Sequence, residues 1–202
     1  MPRLLLATSN MAKTREYSAL LADLPFELTT LDREGIDTVI DEMGTTYEEN
    51  ATLKVTAYAA LSRLIALADD SGLEVKALGG EPGPMAARYA GEGASDEARV
   101  RYLLSKLVSV PWEERQACFK CVIAIATPER TVEFCYGECE GIITIEPRGE
   151  NGFGYDPIFY LPELRKTMAE LSLAEKNKIS HRGQAARKAR QVLERLNRSV
   201  SQ

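Results

Sequence analysis

Four stretches of this 202-residue chain gather side chains that can do chemistry together. The first, T-S-N-M-A-K, runs through Thr8, Ser9, Asn10, Met11, Ala12 and Lys13, at the junction between an apolar run and a helical pattern. The first turn of a helix presents unpaired N–H groups and the positive end of its dipole, so a phosphate docks there readily, and Lys13 adds a point charge. The second, A-D-D-S-G, sets Asp69 beside Asp70 where a strand is expected to run into a turn. Magnesium takes one or two carboxylates and keeps its other positions for water and phosphate oxygens, which suits such a pair. Adjacent carboxylates can also divide the work, one holding metal while the other takes a proton from water. Asp41 and Glu42, on an acidic loop, are the candidates for a further metal oxygen, with the choice between them open. Asn50 and Lys54, four residues apart, share one helix face, from which the lysine can reach a phosphate.

The third stretch is N-G-F-G-Y-D-P-I-F, Asn151 to Phe159. Glycines, Gly154 among them, beside Phe153 and Tyr155 make a flexible loop able to lay a ring over a flat base, and Asp156 offers an acceptor for ring N–H groups. The fourth, K-N-K-I-S-H-R-G, carries Lys176, Lys178, His181 and Arg182 just ahead of the last helical pattern. Cations at a helix N-terminus oppose its dipole, so this misfit points to an anionic or polar partner.

The elements that must position these groups alternate between strand-length apolar runs and helical patterns, the mark of an α/β layered fold. Strands are expected at Arg3–Thr8 and Phe26–Leu31, and helices at about Met11–Leu24 and from Thr46 onward, where Thr46 and Glu49 form a capping box. "LIALADDSGLEV" reads as strand, turn, strand; a helix spans Ser95 to about Val108. Strands follow at Ala117–Thr127, Thr131–Cys139 and Ile142–Ile145, and a basic helix at about Arg182–Asn197 closes the chain. No repeat or linker interrupts residues 1–202, so we expect a single domain with two lobes.

Composition narrows the chemistry. Lys and Arg number 25 against 30 Asp and Glu, a balance without the basic field that nucleic acid or an anionic membrane would require. No apolar run reaches the roughly 18 residues of a membrane span, and the N-terminal apolar run is too short for a signal peptide, so a cytoplasmic protein is expected. A single histidine excludes paired-histidine metal sites. Cys118, Cys121, Cys135 and Cys139 have zinc-like spacing, but the first two lie in a β-rich run that sends them to opposite faces, so they read as buried thiols.

In this order and at these intervals, T-S-N-x-x-K, E-N-A-x-x-K, A-D-D-S-G-L, P-G-x-x-A-R-Y-A-G, G-F-G-Y-D-P-I-F and I-S-H-R-G-Q-A resemble the inosine/xanthosine triphosphate pyrophosphatase family. The resemblance runs from about Leu4 to Leu196 and implies an elongated mixed β-sheet flanked by helices, with two lobes and a central cleft. It implies Mg2+-dependent hydrolysis of the deaminated purine nucleoside triphosphates ITP, dITP and XTP to the monophosphate and pyrophosphate, by a homodimer. It casts Thr8–Lys13 as the triphosphate loop with Lys54 nearby, and Asp70 as proton acceptor and metal ligand beside Asp69. Asp41 or Glu42 becomes the second metal ligand, and Ser71 and Lys176 substrate contacts. Phe153–Asp156, His181 and Arg182 become the base-recognition set. Ser9 and Cys118 depart from the family pattern, where glycine and a basic residue are frequent. The alternatives are a pyrophosphatase for pyrimidine or modified nucleotides, and a non-catalytic nucleotide or single-stranded RNA-binding module; the acidic charge balance and the aspartate pair weigh against the second.

Overall fold

The computed structural model describes residues 1–129 and 131–200. Strand β1 (Arg3–Leu6) buries its three leucines, and α1 (Met11–Leu20) follows. The helix stops four residues short of the expected Leu24: Pro25 has no N–H to bond the Leu21 carbonyl and disfavours helical backbone at Leu24. β2 (Glu27–Thr30) leads through the acidic loop to α2 (Tyr47–Ser62). The capping box is present there: Thr46 Oγ1 accepts the Glu49 N–H at 3.1 Å, and the Glu49 carboxylate reaches back to the Thr46 N–H.

β3 (Ile65–Val75) is one strand of 11 residues where strand, turn, strand was expected. Asp-Ser-Gly is turn chemistry locally, but nine of the 11 positions are buried, and tertiary burial overrides the local preference. β4 (Pro82–Gly83), α3 (Asp96–Lys106, capped by Ser95), β5 (Gln116–Ala126) and β6 (Val132–Ile143) follow. β6 replaces two expected strands. Gly141 does not break it, because the missing side chain admits the Phe159 ring: a Cβ there would lie 2.6 Å from Phe159 Cε1. β7 (Phe159–Leu161), β8 (Lys166–Thr167), α4 (Leu173–Ile179) and α5 (His181–Val200) complete the order.

Among the described residues the strands form one mixed sheet in the order β2-β1-β3-β5-β6-β7-β8, with β4 on β3. β1 is parallel to both β2 and β3, whereas β4 on β3, β6 on β7 and β7 on β8 are antiparallel. The chain divides into two compact units: residues 1–70, 121–137 and from Arg182 onward, and residues 71–120 and 138–181.

In the first unit the strands are covered on both faces. Leu4, Leu6, Ile65, Leu67 and Ile123 meet Tyr17 and Leu21 of α1 and Ala185, Ala189 and Leu193 of α5. The alternate residues Leu5, Ala66, Ala68 and Ala124 meet Ala51, Val55 and Tyr58 of α2. Two-sided burial is why β1 reads as an unbroken apolar run. The second unit has one core, in which Leu73, Phe119, Ile143, Ile158 and Phe159 pack with Leu103 and Leu107 of α3.

Candidate active site

Period-two alternation along β3 sends the side chains of Asp69 and Asp70 to opposite faces. Asp69 follows Ile65 and Leu67 to the α1 and α5 side, and Asp70 follows Ala66 and Ala68 to the α2 side. Each aspartate therefore makes its direct ion pairs on its own side, while Lys13 and Lys54 each also act on the other aspartate from further off.

On the α1 side, Asp69 Oδ2 lies 3.0 Å from Lys13 Nζ and 3.2 Å from Arg182 Nη2, and it accepts the Cys121 S–H at 3.8 Å. Arg182, 1% exposed, also donates to Glu16 Oε2 at 2.7 Å. Burial opposes charge on Asp69, but Lys13 and Arg182 outweigh it and hold the carboxyl well below the usual range. Burial, with Asp69 adding to it, pushes the Cys121 thiol up to about 12, so it stays a donor. Asp69 Oδ1 is buried and has no hydrogen-bond partner among the described residues. An aspartate whose charge is fully used in holding two cations is poorly suited to taking a proton from water.

On the α2 side, Asn50 Nδ2 donates to Asp70 Oδ2 at 3.1 Å while Asn50 Oδ1 accepts the Gly44 N–H at 2.8 Å. The amide is thereby oriented, and Gly44 has to be glycine in this packing, since a Cβ there would come within 2.7 Å of Asn50 Oδ1. Lys54 Nζ donates to Glu42 Oε1 at 2.6 Å and to the Asp69 carbonyl at 2.7 Å, and lies 3.9 Å from Asp70 Oδ1. Burial raises the Asp70 carboxyl, with Glu42 adding to it and Lys54 and Lys13 opposing. Burial disfavours charge on Lys54, but Asp70 and Glu42 prevail and its pKa rises. Glu42, and not the exposed Asp41, is the acid brought to Asp70.

Asp70 and Glu42 bring two carboxylates to the same Lys54 ammonium, a set of oxygens that suits a divalent cation. No group of three or more His, Cys, Asp or Glu among the described residues is placed to hold a metal. Asp70 and Glu42 fit Mg2+ in particular, which needs only one or two carboxylates when phosphate oxygens supply the rest.

At the start of α1, Asn10 Oδ1 accepts the N–H groups of Ala12 and Lys13, at 2.9 and 3.1 Å, and Thr8 Oγ1 accepts the Asn10 N–H at 3.2 Å. A phosphate docking on those two amides has to displace the Asn10 carboxamide. Ser9 and Met11 are exposed beside them, and Lys13 turns inward to Asp69 instead of standing in solvent.

The second unit holds the glycine-rich loop. Asp156 Oδ2 accepts the Phe153 N–H at 2.9 Å and also the Lys176 ammonium, which stands 4.7 Å from the centre of the Phe153 ring. Tyr155 is buried, and its hydroxyl donates to the Ala86 carbonyl at 2.8 Å. His181 stacks on Phe119, the rings 4.7 Å apart and 13° from parallel. Ser71 is half-buried, next along β3 from Asp70. Lys176 and Lys178 occupy the last turn of α4, where cations favour the dipole, whereas Arg182 stands in the first turn of α5 and meets the expected anionic partners, Asp69 and Glu16. His181 and Arg182, neighbours in sequence, serve different clusters: the histidine joins Phe119 and the arginine joins Asp69 and Glu16. Glu16 is the buried residue that the sequence reading missed. Its signal is the spacing from Lys13, three residues along the same helix face.

A family model described as the Ham1 family matches residues 4–192. The chain belongs to the Ham1 family. Among its relatives, the dITP/XTP pyrophosphatase of Geobacter sulfurreducens is 51% identical to this Ham1 chain over 92% of the chain and 93% of the relative. That of Bacillus subtilis is 43% identical over 96% of the chain and 98% of the relative. The structure of a HAM1 protein from Coxiella burnetii superposes with a TM-score of 0.86 at 42% identity, covering 96% of this chain and 98% of that one. The Ham1 protein of Staphylococcus aureus gives 0.84 at 43% identity over 95% and 98%. With relatives that are pyrophosphatases by name along almost the whole length, this Ham1 chain is an enzyme, as its motifs led us to expect.

Proposed function

We propose that this Ham1 chain is a Mg2+-dependent nucleoside triphosphate pyrophosphatase that hydrolyses dITP, XTP and ITP to the monophosphate and pyrophosphate, clearing deaminated purines from the nucleotide pool. The observation that carries the reading is the α2-side cluster, in which Asp70, oriented by Asn50, faces Glu42 with one ammonium, that of Lys54, between them. Relatives named dITP/XTP pyrophosphatase support the choice of base.

The magnesium ion, held by Asp70 and Glu42, would neutralise phosphate charge and align the tail. Asp70 takes the proton of the attacking water at Oδ1, the oxygen that Asn50 does not hold. The water oxygen bonds to the α-phosphorus, the bond to the β-phosphate oxygen breaks, and pyrophosphate leaves with that electron pair. Lys13 and Lys54 offset the charge of the leaving group, since positioning and electrostatics do most of the work in phosphoryl chemistry. Thr8 to Ala12 grip the tail through the start of α1, and Ser71 adds a contact beside Asp70.

Recognition of the base falls to the second unit, through Phe153 to Asp156, Lys176 and His181. Hypoxanthine and xanthine carry O6 and a protonated N1, so a donor aimed at O6 accepts them and meets adenine's amino group as a second donor. Asp156 Oδ2 is used inside the protein, where it accepts from the Phe153 N–H and Lys176 and so shapes the loop. Arg182, which the resemblance adds to this set, is paired with Asp69 and Glu16.

No helix among the described residues is long and apolar enough to cross a membrane, and four free thiols fit the reducing cytoplasm where nucleotide pools are found. The same reading makes the protein a homodimer, which its mass in solution tests. The decisive experiment is a panel of nucleoside triphosphates with Mg2+, scored for pyrophosphate. Pyrophosphate with monophosphate from dITP and XTP is expected. Release of orthophosphate, preference for pyrimidines, or tight binding without turnover each overturns the assignment.

A further inference from the structure

The glycine-rich loop is held from outside by a residue that the proposed chemistry does not use. Asp96, the first residue of α3, reaches across 58 positions of sequence to accept the Gly154 N–H on Oδ2 at 2.6 Å. Its other oxygen, Oδ1, is paired with Arg99 Nη2, and Arg99 Nη1 donates to the Ala87 carbonyl at 2.7 Å. The neighbouring carbonyl, that of Ala86, accepts the Tyr155 hydroxyl at 2.8 Å. The P-G-P-M-A-A-R-Y-A-G stretch and the start of α3 thus grip Gly154 and Tyr155 from one side, while Asp156 and Lys176 hold Phe153 from the other.

Gly154 needs such a hold. Its φ of +63° is open to many alternatives because glycine moves freely between left- and right-handed backbone, and its neighbour Gly152 is likewise left-handed at +75°. A carboxylate accepting a backbone N–H makes a stronger bond than a neutral acceptor would. Asp96 also sits where an acid favours the dipole of α3, and Arg99 fixes its rotamer, so the acceptor is presented rigidly.

We infer that Asp96 is a positioning residue for base recognition: by holding the Gly154 N–H it sets the course of the backbone between the Phe153 ring and Tyr155, and so the selectivity of the enzyme among purines. This rests on the reading that Phe153–Asp156 recognises the base. Asp96 acts through the loop: its carboxylate pairs with the Gly154 N–H and with Arg99.

The test compares ligands with and without a base in the full-length enzyme. Asp96→Ala is expected to raise KM for dITP and the inhibition constant of dIMP by about tenfold, and to lower the preference for dITP over dGTP by a similar factor. The inhibition constant of inorganic tripolyphosphate and kcat for dITP are expected to stay within about threefold of the parent enzyme. Asp96→Asn, whose carboxamide oxygen still accepts the Gly154 N–H, is expected to restore most of the selectivity. Where Asp96→Ala does not fold, Asp96→Glu takes its place: it keeps the charge, moves the acceptor by one methylene and loses selectivity. Unchanged KM and selectivity in Asp96→Ala or Asp96→Glu, an equal loss for tripolyphosphate, or no rescue in Asp96→Asn overturns the inference. Phe153→Ala separates the two layers. If it weakens dIMP while Asp96→Ala does not, the base reading stands and the role of Asp96 falls; if neither variant weakens dIMP, both fall.

Discussion

Asp69→Asn removes a negative charge from a carboxylate that lies 3.0 Å from Lys13 Nζ and 3.2 Å from Arg182 Nη2 inside the first unit. Arg182 is left with Glu16, and Lys13, its side chain only 14% exposed, loses its direct partner and keeps the weaker attraction of Asp70. Breaking a buried pair by removing one partner costs about 3–5 kcal/mol, because the remaining charge stays desolvated. The carboxamide oxygen of Asn still accepts from one of the two cations, which recovers part of this and leaves about 2–3 kcal/mol. For a chain of this length that corresponds to a fall of about 5–10 °C in Tm. Asp70→Asn removes a charge from the other face, where Glu42 already supplies a like charge, so its stability is expected to stay within about 1 kcal/mol of the parent. The assay is urea denaturation of both variants beside Mg2+-dependent pyrophosphate release. Asp69→Asn should lose stability and keep measurable turnover, whereas Asp70→Asn should keep stability and drop to a few per cent of turnover or less. If instead Asp69→Asn unfolds at the parent's urea concentration and is as inactive as Asp70→Asn, Asp69 acts on substrate directly and the division of roles between the two faces is wrong.

Glu42→Gln is expected to raise the Mg2+ concentration needed for half-maximal rate by at least about tenfold, and Asp41→Asn to leave it unchanged; equal effects in a magnesium titration would refute the choice of Glu42. Gly152→Ala places a Cβ 2.0 Å from Asp156 Oδ2 at a φ of +75°, so it should cost about 2 kcal/mol or more, read as a shift of the urea midpoint. Glu49 and Glu170 are depressed first by backbone N–H bonds and Glu175 first by the Ser172 hydroxyl, so each favours the fold above the ordinary glutamate range and loses that contribution as pH falls through the lower folded values. Replacing all three by Gln should flatten the slope of stability against pH between about 5 and 3, and an unchanged slope would show that the caps contribute nothing.

Local chemistry was readable wherever it agreed with the fold. The Thr46–Glu49 capping box and the Asn10 cap mark their helices in the sequence and are found where expected. α4 carries the same kind of signal, Ser172 with Glu175, but seven residues are too few to show a helical period against the basic run that follows. β3 and β6 were misread because Asp-Ser-Gly and Gly141 mark turns only when the backbone is free to turn; here burial and the Phe159 ring fix it as strand. At the site, residue types were legible while their partners were not. Lys13, Asp69 and Arg182 come from three distant segments, and nothing in their spacing says that they meet. Nor could the sequence choose between Asp41 and Glu42, since that depends on which of two neighbouring side chains the loop turns toward Lys54.

Placing two acids side by side in a buried strand would ordinarily destabilise the fold, and the pleat is what makes it tolerable. Side chains one residue apart leave the strand on opposite faces, so each carboxylate makes its direct ion pairs on its own side. On the α1 side Asp69 and Glu16 pair directly with Lys13 and Arg182. On the α2 side Asp70 and Glu42 lie against the Lys54 ammonium, and Lys13 acts on Asp70 from further off. Lys54 couples the two, because its ammonium also holds the Asp69 carbonyl at 2.7 Å and so ties the α2 side to the backbone of its neighbour. Removing that ammonium, as in Lys54→Met, should tighten divalent-cation binding to the free protein while lowering turnover, because the negative charge around Asp70 and Glu42 grows as the proposed leaving-group partner disappears. Calorimetric titration with Mg2+ beside pyrophosphate release would expose the opposite result, weaker binding together with lower turnover, in which case Lys54 organises the carboxylates instead of balancing them.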